Sequence, residues 1–244
     1  MSDAGVCVVI GAGADTGAAI ARAFAREGLV ACIVRRPRHL DKLEALAAEI
    51  RAEGHAAHAF GVDARDESAM VSLFESIEDE IGPIEVAVFN IGANVRFPIV
   101  ETTARVYRKV WEMAAFAGFL TGREAARHML PRERGTILFT GATASVRGGN
   151  GFSAFAGAKH ALRALAQSMA RELGPKNIHV AHVVIDGAID ANFIRGMRPD
   201  ADEMRERDAI LSPDAIAAAY VMLHRQHRSA WTHEMDLRPW VEKW

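Results

Sequence analysis

Cysteine is nearly absent from this 244-residue chain, with Cys7 and Cys32 the only two. Each lies inside an apolar segment of strand length, which predicts two core thiols rather than a disulfide framework or a redox pair. No apolar run approaches the ~18 residues of a membrane span, and Met1-Ser2-Asp3-Ala4-Gly5 has neither a basic region nor a cleavage site. The expected location is the cytoplasm, with no membrane partner. An excess of one charge is missing too: 29 basic and 31 acidic side chains leave a net −2, so bulk charge points to no nucleic-acid partner. A metal-ligating set is also lacking. His224 and His227 share a helix face at i, i+3 without a third ligand, and are expected to be a surface pair. Linkers and low-complexity stretches do not interrupt the chain, so residues 1–244 are expected to fold as one domain.

What is present is alternation. Half the residues are hydrophobic, and apolar runs at Val6–Ile10, Val30–Val34, Ala56–Gly61, Ile84–Asn90, Thr136–Thr140 and Ile178–Ile185 read as strands. Between them Leu40, Leu43, Leu46 and Ile50, and then Met70, Leu73, Phe74, Ile77 and Ile81, repeat at helical spacing. Gly28, Gly54, Gly82 and Gly174 stand where helices should end in a left-handed residue, two of them followed by Pro83 and Pro175. Repeated β-α units with continuously apolar strands require a parallel sheet covered on both faces, because right-handed crossovers place helices on each side. The fold class is therefore α/β, a doubly wound parallel sheet of Rossmann type. Two long helices are predicted over Thr103–Leu130 and Phe152–Leu173, and Ser212-Pro213 opens a last one ending near Arg225.

The first strand runs into Gly11-Ala12-Gly13-Ala14-Asp15-Thr16-Gly17 and then a helix. Glycines in such a turn let backbone approach a pyrophosphate, which the helix N-terminus attracts through its N–H groups and dipole. This segment resembles the glycine motif of the short-chain dehydrogenase/reductase family, with Gly11 and Gly17 at the outer glycines, Asp15 at the middle one and Gly13 extra. A carboxylate ~6 Å from a phosphate would cost on the order of 3 kcal/mol at an effective dielectric of ~20. Alternatively, Asp15 or Thr16 caps the helix and points away. The resemblance extends to Asp63, at the position that contacts adenine, and to Asn90 and Gly92 beside the adenosine ribose. After the second strand the chain carries Arg35-Arg36-Pro37-Arg38, where an acidic residue would hold the ribose of NAD(H). Guanidinium groups there suit a 2′-phosphate, so NADP(H) is the expected cofactor.

The resemblance also implies where catalytic groups should stand. Lys159 fits the family lysine, which puts the tyrosine position, four residues earlier on the same helical face, at Phe155. The serine position falls on Ala142, with Thr143 one residue away as a substitute, and the asparagine position falls on Ala115. Downstream, the family's Pro-Gly and threonine beside the nicotinamide correspond to Asp186-Gly187 and Ala191. Phenylalanine has no proton to exchange, and loss of general acid/base help typically costs ~10²–10⁴ in rate. Asp186, at a strand's carboxyl end, is a candidate replacement; Ser153, His160 and Tyr107 are weaker ones.

Two readings follow from the sequence. The first is an NAD(P)-dependent oxidoreductase passing hydride between NADP(H) and a carbonyl or activated alkene compound, with ordinary tyrosine-dependent reduction weak or absent. The second is a noncatalytic nucleotide-binding sensor or inactive oligomer partner. The family commonly pairs its two long helices across a dyad, so a homo-oligomer, dimer or tetramer, is expected. The tryptophans of the tail Ala230–Trp244 are expected at a subunit contact or over the substrate cleft.

Overall fold

The computed structural model describes residues 4–196 and 199–242. Met1-Ser2-Asp3, part of the loop 191–207 and the last tryptophan of the tail lie outside the described residues. Seven strands form one parallel sheet: β1 (Val6–Ile10), β2 (Val30–Arg35), β3 (Ala57–Gly61), β4 (Ile84–Phe89), β5 (Gly135–Thr140), β6 (Ile178–Ile185) and β7 (Glu234–Leu237). Their spatial order is β3-β2-β1-β4-β5-β6-β7. The order reverses between β1 and β4, and the crevice beyond the carboxyl ends of these strands is where wound sheets receive ligands.

Both faces of the sheet are covered, as its uninterrupted apolar strands require. Helices α1 (Thr16–Arg26) and α2 (Leu40–Ala52) pack on one face; α3 (Glu67–Glu80) follows β3 and packs on the other. The long middle segment is not one helix. It runs as α4 (Ala104–Trp111), a π-helical turn Glu112–Phe116, and α5 (Ala117–Met129), then closes in a 3-10 turn Leu130–Arg132. A π-turn adds a residue per bond, a local change of winding that apolar periodicity does not reveal. Next come α6 (Ser153–Leu173), α7 (Asn192–Arg195), α8 (Ala201–Glu206) and α9 (Pro213–Arg225). Helix α9 joins α1 and α2 on their face of the sheet, while α5 and α6 join α3.

Strand limits agree with the sequence reading to within one residue, and β1 and β6 agree exactly in extent. Cys7 and Cys32 are fully buried core thiols on opposite faces of the sheet. Burial pushes the Cys32 thiol up to about 12. Gly28 and Gly54 close their helices at φ +89 and +90, a backbone that a Cβ would strain. Gly174 departs from expectation: it is right-handed at φ −55, and Asn177 three residues on takes the left-handed turn instead. Pro175 explains the shift, since it starts a further 3-10 turn whose proline φ continues the helical course.

The histidine pair also needs correction. His224 is half-buried, sharing a 2.9 Å hydrogen bond with Thr136 Oγ1 and meeting Phe24 edge-on, whereas His227 is exposed and accepts from the Ser229 amide. The helix capped by Ser212 turns its last stretch onto the sheet, so one of the two rings is drawn under it. In the tail, Trp231 stacks on His179 and Trp240 donates to the Arg207 carbonyl. Neither lines the cavity at the carboxyl end of the sheet. Among the described residues, no helix is long and apolar enough to cross a membrane.

Candidate functional site

The strand-to-helix turn after β1 is built for close approach. Gly11 takes φ +96, and a Cβ there would lie 2.8 Å from the Asn90 carbonyl oxygen; at Gly17 it would lie 2.6 Å from the Gly11 oxygen. These two glycines make the turn possible. Gly13 and Gly92 have a different use, because a Cβ on either meets no atom within 4 Å. They leave bare backbone facing open space, and at Gly13 this lies at the head of α1, where a helix N-terminus attracts an anion. Asn90, at the end of β4, donates from its side chain to the Gly11 carbonyl and joins the two strands across the reversal point.

Asp15 precedes α1 but its side chain makes no cap. Its carboxylate instead accepts the Asn192 amide at 3.3 Å, reaching across the cleft to the head of α7. The capping alternative is thus set aside. Thr16 and Gly17 are buried in the first turn, and Gly13, Asp15, Thr16 and Gly17 all line the cleft.

At the outer end of the turn, Arg35, Arg36, Asp63 and Arg65 surround a second recess with His39. Asp63 receives two side-chain bonds from Arg65, at 2.9 and 2.5 Å, which hold its carboxyl below the usual carboxylate value. The sequence reading had not included Arg65, whose proximity depends on the course of the chain after β3. Cations crowd this recess. The Arg36 guanidinium is lowered first by burial and then by the neighbouring charge of Arg38, with Arg65 and Arg35 adding to it and Asp63 opposing. Bringing an anion among these groups would relieve their mutual repulsion.

The inner end opens into a cavity of about 630 Å³ walled by Ile91, Ala142, Ala144, Phe152, Phe155 and Ile185. Lys159, 2% exposed, reaches its floor from α6 and donates to the carbonyls of Thr140 at 2.8 Å and Ile91 at 3.0 Å. The Phe155 ring centroid lies 6.0 Å from Lys159 Nζ, as a shared helical face demands. Phe155 and Ala115 are buried in one apolar cluster with Ala144, against which Ala142 packs. Ala115 sits on the π-turn. Phe155, Ala142 and Ala115 thus gather as apolar side chains in one place.

Burial holds the Lys159 ammonium down to about 7, from an ordinary 10.5. Between these values the folded chain binds fewer protons than the unfolded one, so stability should rise with pH there. The contribution is complete above 10.5 and lost as pH falls through about 7. Urea unfolding from pH 6 to 10 should show this slope in the native chain and lose it in Lys159→Met. Parallel stability curves for the two chains would contradict it.

Thr143 follows Ala142 in the loop after β5, and its hydroxyl donates to Asp186 Oδ1 at 2.5 Å. Asp186, at the end of β6, is 4% exposed; guanidinium nitrogens of Arg147 and Arg238 lie 3.5 Å from its two oxygens. Gly187 and Ala191 line the same cavity. The weaker acid candidates fall away from it. Ser153 Oγ is buried, His160 is exposed with Nδ1 on the Ala156 carbonyl, and Tyr107 is half-exposed on α4 with its hydroxyl over Gly157. None of them lines the cavity. Arg147 and Arg238 were not singled out from sequence, and no local signal marks them.

Comparison with known proteins gives the family of this chain. A family model described as short chain dehydrogenase matches residues 5–202. Gluconate 5-dehydrogenase of Gluconobacter oxydans is 28% identical over 173 residues, spanning 71% of this chain and 67% of that protein. A short-chain dehydrogenase/reductase of Hericium erinaceus is 32% identical, spanning 73% of this chain and 72% of its own. A crystal structure of a short-chain dehydrogenase from Rhodopseudomonas palustris is 50% identical, superposes with a TM-score of 0.83, and covers 98% of this chain and 100% of its own. The chain belongs to the short-chain dehydrogenase/reductase family, a class of NAD(P)-dependent oxidoreductases. Its cavity is bordered by an apolar cluster that includes Phe155 and Ala115, with Ala142 packed against it.

Proposed function

We propose that this chain is an NADP(H)-dependent oxidoreductase that transfers hydride between the dinucleotide and a carbonyl or activated alkene compound. One observation carries the reading: the guanidinium-lined recess, the bare glycine backbone and Lys159 follow one another along the carboxyl edge of the sheet. Gly11, Gly13, Thr16 and Gly17 with the head of α1 would hold the diphosphate. Asp63, Asn90 and Gly92 would hold the adenosine, and Arg35 with Arg36 its 2′-phosphate. Lys159 would hold the nicotinamide ribose beside Gly187. When bound, the dinucleotide supplies or takes up a hydride at its nicotinamide ring. Asp15 accepts the Asn192 amide in this arrangement, and it lines the same end of the cleft.

Phe155, Ala142 and Ala115 shape the substrate end and exchange no proton. Thr143 supplies the polar contact. Relatives described as dehydrogenases and reductases support the reaction class without naming this chain's substrate. The apolar cluster favours a second reading, a dinucleotide sensor without turnover, because three proton-handling or orienting groups are replaced at once. Fluorescence titration with NADPH and NADH, followed by cofactor oxidation assays on ketones, aldehydes and enones, distinguishes the readings. Binding with turnover of any of these is the expected result. Tight binding with no turnover across the panel would establish the sensor, and no binding at millimolar dinucleotide would end both.

A further inference from the structure

We propose that Thr143, held by Asp186, makes the substrate end of the cleft an acceptor of hydrogen bonds, so that it selects an alcohol and receives the proton this alcohol gives up. The proposal rests on the oxidoreductase reading and specifies which form of the substrate the site is built to hold.

Among the described residues lining the cavity, three carry a side-chain hydroxyl: Thr16, Thr140 and Thr143. Thr16 belongs to the diphosphate turn. Thr140 shares a 2.7 Å bond with the hydroxyl of Tyr220, which is fully buried on the far side of the sheet. Thr143 is left as the hydroxyl at the substrate end. Its proton is committed, because a carboxylate is an acceptor only and the Thr143–Asp186 distance of 2.5 Å is that of a charge-assisted O–H···O bond. Guanidinium nitrogens of Arg147 and Arg238 also lie 3.5 Å from the two Asp186 oxygens. What remains open at Thr143 Oγ1 is a lone pair.

A lone pair facing an apolar cavity discriminates between the two forms of a substrate. The oxygen of a carbonyl is itself an acceptor, and next to Thr143 Oγ1 it would meet like partial charge without a hydrogen between. An alcohol donates its hydrogen there and satisfies both atoms. Of the donors that also line the cavity, Lys159 Nζ already spends two bonds on the Thr140 and Ile91 carbonyls, the Arg147 guanidinium is turned to Asp186, and Asn94 stands apart from Thr143 in the sequence. When the alcohol is oxidised, its carbon would give a hydride to bound NADP⁺, the oxidant of the proposed function. The O–H bond breaks as its proton passes to Thr143 Oγ1, and the proton already on Thr143 moves to Asp186 Oδ1. Hydride and proton together account for the two hydrogens lost in forming the carbonyl. Thr143 is then the catalytic residue, and Asp186 acts through it as a positioning residue.

The test uses the full chain saturated with NADP⁺, with saturation verified by a separate titration, and a matched pair of probes. Calorimetry with 1-phenylethanol and acetophenone should show the alcohol binding about tenfold more tightly, the worth of one hydrogen bond. Thr143→Val should abolish that preference, while Thr143→Ser should keep it and so exclude a folding defect as the cause. Asp186→Asn should reverse it, because the amide can donate to Thr143 and turn the threonine proton toward the cavity. A purely structural Asp186 would weaken both probes alike. Equal or ketone-favouring binding by the native chain, or neither probe binding at millimolar concentration, would overturn the proposal while leaving dinucleotide binding intact. Absence of NADP⁺ binding would instead overturn the reading on which the proposal rests.

Discussion

Phe155→Tyr combined with Ala142→Ser is expected to raise NADPH-dependent ketone reduction by roughly 10²–10⁴-fold over the native chain, the usual worth of positioned general acid help. Phe155 already lies on the helical face of Lys159, with its ring centroid 6.0 Å from Nζ, and both residues line the cavity. A phenol in place of that ring would stand beside an amine whose protonated form lowers the phenol's pKa. The serine would add a hydroxyl one residue before Thr143, where the native chain has only a methyl group. Neither change enlarges a side chain by more than one oxygen, so the apolar cluster around Ala115 and Ala144 should tolerate them. The check is steady-state NADPH oxidation with acetophenone, comparing the double variant with the native chain. An unchanged rate in a folded, dinucleotide-binding variant would mean that these positions do not face the reacting carbonyl.

Arg35→Ala with Arg36→Ala is expected to weaken NADPH roughly 10²-fold while changing NADH by less than about threefold, since charge-assisted bonds to a phosphate are worth about 1.5–3 kcal/mol each. Both side chains line the recess beyond β2, together with Arg65 and His39. The asymmetry follows from the crowding of like charge: Arg36 is destabilised as a cation by burial and by Arg38, and only a ligand carrying an additional anion relieves it. Salt should therefore weaken NADPH more than NADH in the native chain and affect both equally in the variant. Intrinsic tryptophan or nicotinamide fluorescence measures both affinities. Equal losses for the two dinucleotides would remove the 2′-phosphate assignment and leave the arginines as a solvated basic loop.

Much of the site was visible in the sequence because it depends on short-range pattern. Gly11, Gly13 and Gly17 fall at one strand-to-helix turn, and the four-residue spacing of Phe155 and Lys159 places both on one face of α6 in any helical register. Asn90 and Gly92 follow a strand whose end could be read to within a residue. Local pattern did not give the winding of the middle helix. The π-turn at Glu112–Phe116 leaves the apolar spacing of the segment nearly intact, and only packing against α6 shows where the extra residue is accommodated. Nor did it give the state of Asp15. As a candidate cap or a candidate repellent of phosphate, the residue was judged from its neighbours in sequence, whereas its partner Asn192 is 177 residues away. His224 was misjudged for the same reason, its bond to Thr136 spanning 88 positions.

The amino-acid sequence by itself determined that strands and helices alternate, that the sheet is parallel and covered on both faces, and that a glycine turn opens at its carboxyl edge. Those properties follow from periodicity and from backbone torsions that few residues other than glycine can adopt, and both act over a handful of residues. Tertiary structure decided which polar groups the substrate end retains. Thr143 and Asp186 are separated by 43 residues, and they are bonded only because β5 and β6 lie side by side with their ends in register. Arg238 joins them from beyond β7, the neighbouring strand on the other side of β6. Such a bond is a consequence of strand adjacency, which chain order alone does not encode at that precision.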